Sequence, residues 1–130
     1  MYMKKLLAAL AVISAGVLAG CTSLPSEQEI SDADYGAYPD DYENIIKTYY
    51  GYHLTHPNSV EYGKIEKPKR YWLGNELDNV YYGYLVCATL NYRNMVGKDT
   101  GFNTHALLIH DGLVVKYVED GEWWGKPLCK

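Results

Sequence analysis

Three cysteines, four histidines and a scatter of carboxylates are the side chains in this 130-residue chain that could carry covalent, acid–base or metal chemistry. A nucleophilic thiol needs a helix amino terminus or a histidine to hold it as thiolate, and an accessible edge from which to attack. Cys87, set inside Val86-Cys87-Ala88 of an alternating strand pattern, offers neither. His53 and His56 are three apart, but Pro57 follows His56 and takes it out of the helix. His105 and His110 differ by five, so a regular strand points them to opposite faces. No compact ligand set results, and no metal is expected. Asp40 and Asp41 read as a helix cap, while Glu119, Asp120 and Glu122 read as a solvated turn. There is no GxSxG elbow, no phosphate-cradling glycine loop and no HExxH. The residues therefore point to a chain without catalytic groups or cofactor; a small hydrolase using His105 or His110 with a carboxylate is the enzymatic alternative.

Aromatic content is the other chemical signal: fourteen tyrosines and three tryptophans against one phenylalanine. Tyrosine packs its ring while its hydroxyl stays wet, which suits both the rim of a small core and a protein interface. Tyr71, Trp72, Tyr92, Trp123 and Trp124 fall at turns or segment ends. Together with Arg93 and Asn94, which follow Tyr92, they are the candidate partner contacts.

These residues are positioned by one domain, expected over residues 39–130. Behind Pro39, Asp40 and Asp41 the side chains Tyr42, Ile45, Ile46, Tyr49 and Leu54 recur at helical spacing, predicting a helix from about Asp41 to Leu54. The period then changes to two. Val60, Tyr62 and Ile65 suggest one strand and Tyr71 to Leu73 a second. Val80 to Arg93 alternates with both faces fairly apolar, as a strand covered on two sides does. His105–His110 and Leu113–Val118 flank Asp111-Gly112, a hairpin signature. The tail after Val118 is expected to pack as an irregular arm. The fold class is α+β: one amino-terminal helix packed on an antiparallel sheet of three to five strands. Residues 21–38, poor in aliphatics and rich in Ser, Asp and Glu, are expected to form a flexible tether.

The first twenty residues set the address. Lys4 and Lys5 precede an apolar run from Leu6 to about Ala19, shorter than the ~20 residues a spanning helix needs, and this reads as a secretory signal. Leu18, Ala19, Gly20 and Cys21 resemble, residue by residue, the lipobox of bacterial lipoproteins. The resemblance implies that Cys21 is alkylated with diacylglycerol, becomes the first residue after cleavage, and anchors the chain to a bilayer; an uncleaved anchor is the alternative. Thr22 in place of aspartate implies, by resemblance to enterobacterial sorting, the outer membrane and a domain facing the periplasm. Loss of residues 1–20 lowers the 12 basic side chains to 10 against 16 acidic, so the net charge moves from −4 to about −6. Nucleic acid is excluded as a partner by that balance, and the lone basic run Lys67 to Arg70 reads as a solvated turn. With Cys21 acylated, Cys87 and Cys129 are left to pair in an oxidising compartment, or to stand as separate thiols. A bridge would close a loop of about 42 residues and contribute on the order of 3 to 4 kcal/mol.

Beyond the lipobox, LTHPNS (Leu54 to Ser59), LVCATLNYRN (Leu85 to Asn94), GKDTGF (Gly97 to Phe102) and LLIHDGLVV (Leu107 to Val115) resemble a group of small, uncharacterised proteobacterial envelope lipoproteins. The resemblance spans most of residues 39–118. His56 departs from it, standing where such proteins often carry an acidic residue before the proline. The resemblance implies architecture and no activity. The expected role is a membrane-anchored binding or structural module engaging another envelope protein. Its alternative is an inhibitor of a cell-wall-degrading enzyme such as lysozyme, for which residues 91–103 would supply the protruding loop.

Overall fold

The computed structural model describes residues 24–75 and 78–129, so the segment expected as a secretory signal and Cys21 lie outside the described residues. The organising element is a fourteen-residue strand. Its sequence alternates two apolar sets, so it stands in the middle of an antiparallel five-stranded sheet. In chain order the elements are α1 (Glu27–Asp32), α2 (Tyr42–His53), a 3-10 turn (Pro57–Ser59), β1 (Glu61–Ile65), β2 (Lys69–Asn75), β3 (Asp78–Asn91), β4 (Asn103–His110), β5 (Leu113–Val118) and two short strands, β6 (Glu122–Trp123) and β7 (Lys126–Pro127). One edge of β3 carries β4. The other carries β2 against its first half and β1 against its last residues. The hairpin turn between β4 and β5 is the expected Asp111-Gly112, with φ of 47° and 80°, values that suit the twist of a two-residue connection. The α+β class read from periodicity is the class observed.

The alternation of β3 sorts the core into two layers. On one side Val86, Ala88, Leu90, Leu107 and Ile109 meet Ile46 and Tyr50 of α2, with Tyr42, Ile45, Tyr49, Tyr62 and Tyr117 around them. Ile46 and Tyr50, four apart, are the most deeply buried side chains of α2, because that spacing puts them on one stripe. Asp41 takes the N-cap position, but its side chain makes no cap hydrogen bond. What remains of the expected cap is its negative charge near the positive end of the helix.

The opposite layer contains Leu73, Leu85, Cys87, Ala106, Leu108, Val118 and Leu128, flanked by Tyr71, Tyr81 and Trp123. It is covered by the carboxyl-terminal arm, which is less irregular than its sequence suggests. Strands β6 and β7 form a two-stranded ladder, and the Leu128 N–H donates to the Gly121 carbonyl at 2.8 Å. A Cys87–Cys129 disulfide, with Cα atoms 5.8 Å apart, fastens the arm to the central strand. Gly83 matters to this packing. A Cβ there would strike the Ile109 carbonyl oxygen and stand 3.0 Å from its carbon, so β3 and β4 could not approach as they do.

The segment expected as a tether differs from that expectation over residues 26–38. Ser26 and Glu29 form a capping box at the start of α1, and the chain beyond lies on the first half of β3. Tyr35, only 7% exposed, meets Tyr82 edge-on at 5.4 Å, and Tyr38 meets Tyr84 likewise at 5.3 Å. Arg70 lies over the Tyr35 ring at 4.1 Å and donates to the Ser31 carbonyl at 3.1 Å. Low aliphatic content suggested disorder. Aromatic rings and one guanidinium supply the missing contact area instead. Among the described residues no helix is long and apolar enough to cross a membrane.

Candidate functional site

The candidate contact residues separate into two regions at different parts of the sheet. Tyr92, Arg93 and Asn94 begin the connection from β3 to β4, a loop that mixes exposed charges with exposed aliphatic side chains. Asn91, Asn94 and Asn103 satisfy backbone groups of the loop, while Arg93, Lys98 and Asp99 stand exposed. Asn94 Oδ1 accepts from the Val96 and Lys98 N–H groups, each at 3.1 Å, and Asn91 Oδ1 accepts from the Gly101 N–H at 3.0 Å. Asn103 Nδ2 donates to the Thr100 carbonyl at 3.1 Å. Main-chain bonds from Asn94 N to the Lys98 carbonyl (2.8 Å) and from Thr100 N to the Tyr92 carbonyl (2.9 Å) close the loop. The Arg93 N–H donates to Ser59 Oγ at 2.9 Å, fastening it to the 3-10 turn. With its backbone satisfied by its own amides, the loop carries Met95 84% exposed and Val96 78% exposed at its tip, and Phe102 exposed where it rejoins the sheet.

Tyr92 itself is half-buried beside His105, so Arg93 is the exposed member of its trio and Asn94 the brace. The sequence reading missed Met95, Val96 and Phe102. A signal was present: two adjacent aliphatic residues, followed by glycine, inside an otherwise polar connection.

Tyr71, Trp72 and Trp123 converge in a groove of about 520 Å³ along β2, with Arg70, Lys126 and Ile30 among the other lining residues. Cations in and beside the groove are engaged with aromatic faces. Lys69 and Lys126 sit 5.7 and 5.9 Å from the Tyr71 ring, and Lys116 lies 5.0 Å from Trp123. Trp123 Nε1 donates to the Gly74 carbonyl at 3.3 Å. Tyr71, Trp72 and Trp123 are half-buried, and Trp124, at φ 48° in the turn between β6 and β7, is the one of the four that stands exposed.

The histidines have separate surroundings. His105 is buried among Tyr50, Tyr92 and Tyr117, with its ring stacked on Tyr117 and its Nδ1 2.9 Å from that hydroxyl; its Nε2 has no hydrogen-bond partner among the described residues. Burial lowers its pKa, opposed in part by the negative charges of Glu119 and Asp120. Burial also raises the phenol pKa values of Tyr50 and Tyr117 well above the ordinary value. His53 stacks on Tyr49 at 4.1 Å, and His56 lies exposed just before the 3-10 turn. His110 meets a residue the sequence reading did not connect with it: its Nε2 is 3.8 Å from Asp34 Oδ2 and 3.4 Å from Asp111 Oδ2. No protein-family model, curated protein or solved structure matches the chain.

Proposed function

We propose that the chain is an exported bacterial lipoprotein, held by acyl chains on Cys21 at the outer membrane and facing the periplasm. Its domain is a non-catalytic module that binds another envelope protein. One observation carries the binding role: the braced loop between β3 and β4, which presents Met95 and Val96 to solvent. A connection with no partner gains nothing from turning its amides inward and its aliphatic side chains outward, whereas a docking loop needs a fixed backbone and an apolar tip. The matching partner surface is an apolar pocket. The lipobox resemblance supports the address, and a bridged Cys87–Cys129 pair is compatible with an oxidising compartment.

The test places a photo-crosslinking residue at position 96 in the native envelope, with position 113, exposed at the start of β5 beyond the far end of β4, as control. A discrete adduct at 96 that is absent at 113 and lost in the Met95→Asp variant is the expected result. Equal labelling at both positions, or none at 96, rejects the loop as the contact. Mass spectrometry of residue 21 checks the anchor separately.

The same loop favours a second reading, an inhibitor of a cell-wall-degrading enzyme such as lysozyme, since it protrudes, is internally braced and ends in aliphatic side chains. Turbidity assays in which lysis runs at an unaltered rate with the purified protein present would exclude it.

A further inference from the structure

The docked amino-terminal segment shortens the connection to Cys21. Were residues 21–38 free, their seventeen links could reach about 60 Å from the domain. Ser26 instead opens α1, and the Arg70 guanidinium donates to the Ser31 carbonyl at 3.1 Å. Five links, about 18 Å at full extension, therefore separate Cys21 from folded structure. A domain held that close to a bilayer turns toward it a face that adjoins α1.

The helix α1 has two flanks. One, bearing Glu29 and Asp32, borders a cleft with Asp34 and His110. The other, bearing Ile30 and Ser31, borders the groove along β2, whose charged lining residues are Arg70 and Lys126, with no carboxylate among the described residues there. Lys69 and Lys116 lie against rings of the same surface, at Tyr71 and Trp123. In a chain with 16 acidic and 12 basic side chains, this local positive charge runs against the overall balance. All three tryptophans gather there as well: Trp72 and Trp123 line the groove, and Trp124, 65% exposed, stands on the turn beside it. Tryptophan and tyrosine beside lysine and arginine are the side chains that settle at the headgroup level of a bilayer, rings toward the acyl boundary and charges toward phosphate.

We propose that the groove along β2, with Trp124 at its edge, lies on anionic phospholipid headgroups of the bilayer that holds Cys21. The proposal rests on the acyl anchor argued above and adds the orientation of the domain. Charge complementarity selects the lipid phosphate, and the short connection supplies the proximity. Nine residues of β3, about 30 Å, separate Tyr82, which packs on Tyr35, from Asn91, where the Met95 loop begins. Lipid contact near one end of the strand leaves the loop at the other end available to a protein.

The test places the full acylated chain in phosphatidylcholine vesicles with or without about 30% phosphatidylglycerol, each doped with headgroup-nitroxide lipid, and reads tryptophan quenching. Because every tryptophan belongs to this surface, the signal reports it alone. Quenching should be strong on the anionic vesicles, weak on the neutral ones, and reduced by ~0.5 M salt. Each lysine near an anionic surface contributes about fivefold, so the Lys69→Gln, Lys126→Gln double variant should lower the docked-to-undocked ratio about 30-fold while staying vesicle-bound. Circular dichroism checks its fold, and the salt series on the unaltered chain decides the matter if the variant does not fold. In the native envelope a photo-crosslinking residue at position 124 should give lipid adducts. Tryptophans unquenched on anionic vesicles, quenching indifferent to lipid charge and salt, or an adduct at 124 to a protein or a second copy overturns the proposal. An acylated chain with unquenched tryptophans refutes the face and leaves the anchor; an unacylated chain whose tryptophans are quenched on anionic vesicles refutes the anchor and leaves the face.

Discussion

Replacing both Cys87 and Cys129 with alanine removes the bridge without leaving a lone thiol. The bridge closes a 42-residue separation, and in the chain-entropy model it restricts the unfolded chain by about 4 kcal/mol. Small domains are stable by about 5–15 kcal/mol, so this one link accounts for a large share. For a domain of this size each kcal/mol shifts Tm by about 4–8 °C, so the variant should melt at least 15 °C or so lower. Arm packing sets where the loss is felt. Leu128 is 5% exposed and Trp123 packs on the same layer, so the arm should stay docked in the native state and the cost should fall mainly on the unfolded state. The assay is urea denaturation of wild type and variant, with amide exchange at Leu128, whose N–H donates to the Gly121 carbonyl. The expected result is a midpoint lowered by the equivalent of about 3 to 4 kcal/mol with the Leu128 amide still protected. A loss below about 1 kcal/mol, or a Leu128 amide that exchanges freely while global stability is unchanged, refutes the reasoning.

Gly83→Ala should destabilise by at least about 1–3 kcal/mol, read by urea midpoint, because the added methyl meets backbone rather than a movable side chain. The folded-state pKa of His105 lies below 6.5, so as pH falls through 6.5 the unfolded chain takes up the proton first. Stability is therefore full above that pH and declines below it, and His105→Gln should flatten the decline measured by denaturation across pH 4–7. Arg70→Ala removes the cation over Tyr35 and the bond to the Ser31 carbonyl. Amides of residues 27–37 should exchange faster while those of β3 and β4 keep their protection, and unaltered exchange in both regions would show that the guanidinium does not hold the segment.

Much of the fold was legible because it is written in short periods. The i, i+4 stripe of Ile46 and Tyr50 and the alternation of β3 each express one local geometry, and Asp111-Gly112 encodes its turn within two residues. The pairing of Cys87 with Cys129 followed from counting sulfurs once Cys21 was set aside, and the structure makes that bond. The candidate contacts were less legible. Trp72 and Trp123 look alike at segment ends, and only the arm's path made one groove of them, with their neighbouring cations turned onto rings.

From its residues alone the chain determined a helix, an antiparallel sheet of three to five strands and a hairpin, because neighbours along the chain dictate those shapes. Only the tertiary structure decided that residues 26–38 dock, since Tyr35 is buried by Tyr82 and Arg70, which β2 and β3 bring to it. It likewise decided that Asp34 faces His110 and that Met95 and Val96 point outward. Those outcomes depend on strand register and on which amide reaches which backbone group, quantities set by contacts between distant positions that no local pattern records.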